Sequence, residues 1–223
     1  MTQPAPFESL DLPAPTPREG ELGDLRFRTL LGAEAWARLP APVQKRFSKR
    51  LANGRTAVYV GEIAEARANL AGRCLARLAQ MIGGPLPLVW QAPAPSVVTV
   101  TEGGDGGQVW TRLYARARGF PQVIHSSKRF AGPTGLEEYV GRGVGMALTV
   151  SVEEGALTFR SAFYFLALGP LRLRLPRRLE PGRILVRHAE LGEGRFAFSL
   201  DVRHPLFGQM LWQYGVFRDD SAG

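Results

Sequence analysis

From Val98 onward, apolar and polar residues alternate with a period of two, in runs separated by only a few residues. Val98 and Val100 alternate with Thr99 and Thr101. Val144, Met146, Leu148, Val150 and Val152 alternate with Gly145, Ala147, Thr149 and Ser151. A period of two sends successive side chains to opposite faces of a strand. Glu153-Glu154-Gly155 and Gly192-Glu193-Gly194 stand between such runs and read as hairpin loops. Connections this short force antiparallel neighbours, because a parallel crossover takes a dozen or more residues. A sheet of about eight or nine strands coils on itself or closes.

The period differs before Pro85. Leu25 to about Arg50 reads as short helices broken at Pro40-Ala41-Pro42, and Asn53-Gly54 reads as a turn. Over Gly61 to Ile82, Ile63, Ala66, Leu70, Cys74, Leu78 and Met81 recur at spacings of three and four. That spacing predicts an amphipathic helix with one buried stripe and a buried, inert Cys74. The expected fold is α+β, with N-terminal helices packed on a strongly curved, barrel-like antiparallel sheet. The expected organisation is a flexible Pro-rich arm over 1–24, a single domain over 25–219 and a flexible tail over 220–223.

Several function classes are excluded or disfavoured. One cysteine among 223 residues forbids an internal disulfide and any multi-cysteine zinc site. No apolar run reaches the roughly 20 residues of a membrane-spanning helix. The arm lacks the basic start and apolar centre of a secretory signal, so a cytoplasmic protein is expected. Gly141-Arg142-Gly143-Val144-Gly145 resembles a dinucleotide loop only superficially, since a strand follows it where a phosphate-binding loop needs a helix. The net charge of +8 suits an anionic partner. No nucleic-acid-binding signature accompanies it, so nucleic acid is not the expected partner.

Trp110, Arg112 and Tyr114 share one strand face, and Glu138 and Glu190 are the natural charge partners for an arginine there. Set inside a cup, an Arg–Glu pair with aromatic walls would hold the polar end of a partly apolar ligand. Tyr214 is the second expected wall. His188 and Glu190, at i and i+2, share a face and offer acid–base groups, as does His204. His188 and Glu190 with a third histidine have ligand types suited to a metal, but no spacing fixes the third ligand, and neither a metal nor a cofactor is expected. Arg172, Arg174, Arg177 and Arg178 make the densest basic stretch, a candidate docking face.

The chain also resembles a bacterial domain family of unknown function. The resemblance rests on Leu30-Leu31-Gly32, Leu39-Pro40, Trp110-x-Arg112, Glu138-x-x-Gly141, Leu175-Pro176 with Leu179-x-Pro181, and Ala189-Glu190. It continues through Phe196-x-Phe198, His204-Pro205-Leu206-x-Gly208 and Tyr214-x-Val216. Members of that family also occur at the C-terminus of YndJ-like proteins and fused to saccharopine-dehydrogenase-like domains. The resemblance therefore implies such an oxidoreductase as a partner. Where members carry a histidine after the Leu-Pro, this chain has Phe47.

The residues together give a leading expectation: a domain binding a small, partly apolar ligand, a lipid or organic acid, between helix and sheet. The alternatives are an enzyme using Glu138 or Glu190 with His188 or His204, and an accessory protein docking through its basic face.

Overall fold

The computed structural model describes residues 25–48, 51, 55–169 and 171–220. The expected arm, the tail beyond Asp220 and the Asn53-Gly54 turn lie outside the described residues.

Three short helices come first: α1 (Arg26–Leu31), α2 (Ala33–Ala37) and α3 (Ala41–Phe47). Strand β1 (Thr56–Ala68) runs into helix α4 (Leu70–Leu78) and a 3-10 turn over Ala79–Ile82. Then follow β2 (Ala94–Glu102), β3 (Gln108–Tyr114), β4 (Gln122–Arg129), β5 (Glu137–Gly141), β6 (Val144–Glu153) and β7 (Ala156–Leu168). The chain ends with β8 (Leu171–Arg174), β9 (Arg183–Gly192), β10 (Arg195–His204) and β11 (Gly208–Asp219).

Ten of these strands close into an antiparallel barrel, and β8 is one more strand laid along the upper part of β7. The β6–β7 pairing closes the ring. Closure leaves no open sheet edge around the barrel itself.

The strand count exceeds the expected eight or nine because two strands escape the sequence pattern. β5 is only five residues long. β1 takes the first eight residues, 61–68, of the stretch that the helical spacing claimed from Gly61 to Ile82. Residues 61–68 carry both patterns, since Ile63 also shares strand parity with Ala57 and Tyr59. Pairing with β2 on one side and β11 on the other decides it, since tertiary pairing overrides local periodicity. The helix starts only after Asn69, whose side chain accepts a hydrogen bond from Gly72 N at 2.9 Å.

The turns follow their chemistry. Arg142, Glu154 and Glu193 have φ of 46°, 51° and 52°, and each precedes a glycine that also has positive φ. Paired positive φ is what a tight hairpin needs to match strand twist. Gly141 to Gly145 is thus the β5–β6 hairpin and not a phosphate loop.

α1, α2 and α3 plug one end of the barrel. Phe27 packs edge-on against Phe47, Phe130 and Phe159, at ring separations of 5.2, 5.0 and 6.0 Å. α4 and its 3-10 turn sit at the other end, over the mouth. There Gly72 lets the helix press against β11, where a Cβ would fall 1.9 Å from Met210 O.

Candidate functional site

Between the plug and α4 the barrel encloses a cavity of about 360 Å³. Its wall is apolar over most of its area, formed by residues such as Val98, Ile124, Met146, Phe159, Val186 and Phe198. Ligand sites of a few hundred cubic ångströms with sparse polar groups are the usual form.

One polar cluster interrupts that wall. β3, β4 and β5 are consecutive neighbours, and the inward parity of each carries a polar residue. Arg112 contributes from β3, Ser126 and Lys128 from β4, and Glu138 from β5. Lys128 Nζ lies 3.1 Å from Glu138 Oε1, and Arg112 Nη2 lies 3.7 Å from the same oxygen. Arg112 also donates to Ser126 Oγ at 3.1 Å. Trp110 forms the wall beside them, with Lys128 Nζ 4.8 Å from its ring centre.

Burial sets the electrostatics. Desolvation lowers the Lys128 pKa and the neighbouring Arg112 pushes it the same way, while Glu138 only partly compensates. Burial alone would raise the Glu138 carboxyl. The charges of Lys128 and Arg112, with hydrogen bonds from Ser126 and Lys128, outweigh it and hold Glu138 below its ordinary value. The cluster thus sets two cations against one carboxylate. Farther round the wall, Tyr114 donates to Gln213 Oε1 at 3.3 Å. The Gln213 amide nitrogen is buried with no hydrogen-bond partner among the described residues.

The structure brings some predicted residues together and separates others. Trp110, Arg112 and Glu138 line the same cavity. His188 and Glu190 do not. They lie toward the plug, where Arg46 of α3 reaches Glu190 Oε2 at 2.5 Å and His188 Nε2 at 2.8 Å. Arg46 also stacks 4.1 Å above the Phe196 ring. Burial first, and then Arg46, push the His188 pKa well below its ordinary value. Because Arg46 donates to Nε2, the ring proton sits on Nδ1, which is buried without a partner among the described residues. His204 is at the mouth end, stacked on Phe207.

Tyr214 is not part of the cavity wall. It has the opposite parity to Gln213 and Phe217, which are. A one-residue difference in register reverses a strand's faces. Cys74 is exposed rather than buried, because α4 turns its small residues inward. In the basic stretch all four arginines are exposed; Arg172 pairs with the buried Glu137 and Arg174 stacks 4.2 Å above the Phe163 ring.

Four site residues, Lys128, Ser126, Gln213 and Arg46, escaped the sequence reading. Lys128 had a signal, since it shares parity with Ile124 and Ser126 on β4. Arg46 had none, since 142 residues separate it from His188. Among the described residues no group of three or more histidine, cysteine or acidic side chains could hold a metal ion, and no helix is long and apolar enough to cross a membrane.

The sequence matches a family profile described as Domain of unknown function (DUF4166) over residues 39–217. No curated protein and no solved structure matches the chain.

Proposed function

The chain belongs to the DUF4166 family, whose description assigns no activity, and for this member we propose that the barrel binds a small amphipathic organic anion. The observation that carries this reading is the charge of the cavity's polar cluster. Arg112 and Lys128 share one carboxylate, Glu138, inside an otherwise apolar wall.

A buried ion pair is retained at a desolvation cost. A surplus cation in the same place is still more costly unless an anion offsets it. A ligand carboxylate or similar acid would take that role. Arg112 offers a forked donor, Lys128 a point charge and Gln213 a free amide donor. Trp110, Ile124 and Phe159 would enclose the apolar body. The acid–base alternative, Glu138 or Glu190 with His188 or His204, has less support, because Glu138 has no histidine beside it in the cavity wall and His188 and Glu190 are both tied to Arg46 outside that wall.

The test is native mass spectrometry of gently purified protein, followed by titration with anilinonaphthalene sulfonate, an amphipathic aromatic anion. The expected result is a retained small acid or saturable probe binding. Lys128→Met should weaken probe binding by on the order of tenfold, the worth of a charge-assisted hydrogen bond. A bare chain that binds no probe, or equal binding by folded Lys128→Met, overturns the reading.

A further inference from the structure

Leu70, Cys74, Leu78 and Met81 form the apolar stripe that the sequence marks for burial, and the structure turns that stripe to solvent. Leu70, Leu78 and Met81 are 78%, 65% and 70% exposed, and Cys74 is exposed beside them. The small residues Gly72, Ala76 and Ala79 take the buried side instead. Arg73 and Arg77 are exposed along the same outward face. An amphipathic helix that buries its small side and shows leucines and arginines is an unsatisfied surface.

The surface continues around the cavity mouth. The Asn69 amide donates to Phe207 O at 2.9 Å, which fixes the β10–β11 turn beside α4 and presents Leu206, 83% exposed. Gly182 lies close to Arg203 and Met210, so the β8–β9 connection, with Arg177, Arg178 and Leu179, is held next to that turn. On the other side, Gln122 bonds Leu88 N and Leu86 O, which ties the β3–β4 loop and its 90% exposed Phe120 to the segment after α4.

The acidic residues of the connections are polarised along the barrel axis. Residues 69–93 and 115–121, both at the mouth, contain no aspartate or glutamate. The β8–β9 connection has one, Glu180, which is half-buried. At the plugged end the turns carry Asp105, Glu153, Glu154 and Glu193. Arg73, Arg77, Arg177 and Arg178 have no ion-pair partner among the described residues.

We infer that the mouth end of the barrel is a docking surface for an anionic phospholipid bilayer. The exposed leucines, Met81 and Phe120 would enter the acyl boundary, and the arginines would engage lipid phosphates. Two copies facing each other through this surface would set arginine clusters together and repel. The inference rests on the rim, of which Leu78 alone among the exposed residues named also lines the cavity, and does not depend on what the cavity holds.

The test uses the full chain and vesicles of phosphatidylcholine with or without phosphatidylglycerol. Cys74, the only cysteine, carries an environment-sensitive fluorophore. The protein should sediment with anionic vesicles, at least about tenfold less with neutral ones, and lose binding as salt rises. The fluorophore should shift to the blue on binding. The triple variant Arg77→Gln, Arg177→Gln, Arg178→Gln should bind on the order of a hundredfold more weakly, given about one kcal/mol per basic residue near a charged surface. Leu78→Ser with Met81→Ser should lose the blue shift. All five positions are exposed, so an unchanged thermal midpoint certifies the fold. Three results overturn the inference: no sedimentation with anionic vesicles at low salt, equal binding by the folded triple variant, or a dimer in sedimentation velocity that Leu78→Ser with Met81→Ser dissolves. A soluble acidic protein that binds the rim when vesicles do not would also overturn it.

Discussion

Lys128 Nζ stands 3.1 Å from Glu138 Oε1 inside the barrel, with the two side chains only 7% and 10% exposed. They face each other because β4 and β5 are adjacent and Lys128 pairs with Glu138 in register. Arg112 arrives from the next strand at 3.7 Å. Three residues of one parity on three neighbouring strands thus make a charged cluster that no single stretch of sequence contains.

Glu138→Gln removes the carboxylate and leaves two buried cations without a counter-charge. Stability should fall by about 3 kcal/mol, as for other broken buried pairs. Urea unfolding measures the loss. Anilinonaphthalene sulfonate should raise the thermal midpoint of this variant more than that of the parent, because the added anion replaces the missing charge.

Acid sensitivity should begin near neutrality and trace to His188. Its folded pKa is depressed by burial and by Arg46, while the unfolded ring titrates near the ordinary value of 6.5. The unfolded state therefore binds more protons as pH falls below that value. The His188 contribution is complete above about pH 6.5 and is lost as pH drops toward the folded value, with a slope of at most about 1.4 kcal/mol per pH unit. Thermal midpoints from pH 8 to about 5 should fall for the parent and flatten for His188→Gln. A parallel fall in both would remove His188 from the account. Glu138, also depressed, adds stability above its ordinary value of 4.5 that is lost only as pH falls through its lower folded value.

Gly72→Ala should destabilise the protein although alanine favours a helix by about 1 kcal/mol over glycine. The new methyl would sit 1.9 Å from Met210 O, so α4 must lift from β11. A loss of about 1–3 kcal/mol follows from such overpacking. A higher midpoint in differential scanning calorimetry would contradict the close seat of α4.

Val98→Phe grows a side chain from the wall into the cavity's empty volume. Stability should stay within about 1 kcal/mol of the parent, since the added ring fills space instead of displacing neighbours. Binding of anilinonaphthalene sulfonate should be lost. Retained binding with a folded variant would place the probe elsewhere.

The alternating runs, the X-Gly hairpins and the antiparallel neighbours were legible in the sequence because they are local. Period two follows from strand geometry, and the Glu154-Gly155 and Glu193-Gly194 turns are set by their own residues. The shared face of Trp110, Arg112 and Tyr114 follows from the same parity and holds in the cavity wall. The family resemblance was also legible, and a family profile matches residues 39–217.

What tertiary structure alone decided is everything that depends on a second surface. Residues 61–68 carried helix and strand patterns together, and only the edges of β2 and β11 chose between them. The stripe from Leu70 to Met81 announced an amphipathic helix but not which side would be buried. Gly72 against Met210 settled that, because only a residue without a Cβ permits so close an approach. The parity of β11, which sets Gln213 rather than Tyr214 in the wall, came from pairing on both sides. Arg46 beside His188 and Glu190 came from the plug closing the barrel. Sequence encodes periodicity through local sterics, whereas inside and outside exist only after the sheet has closed around a volume.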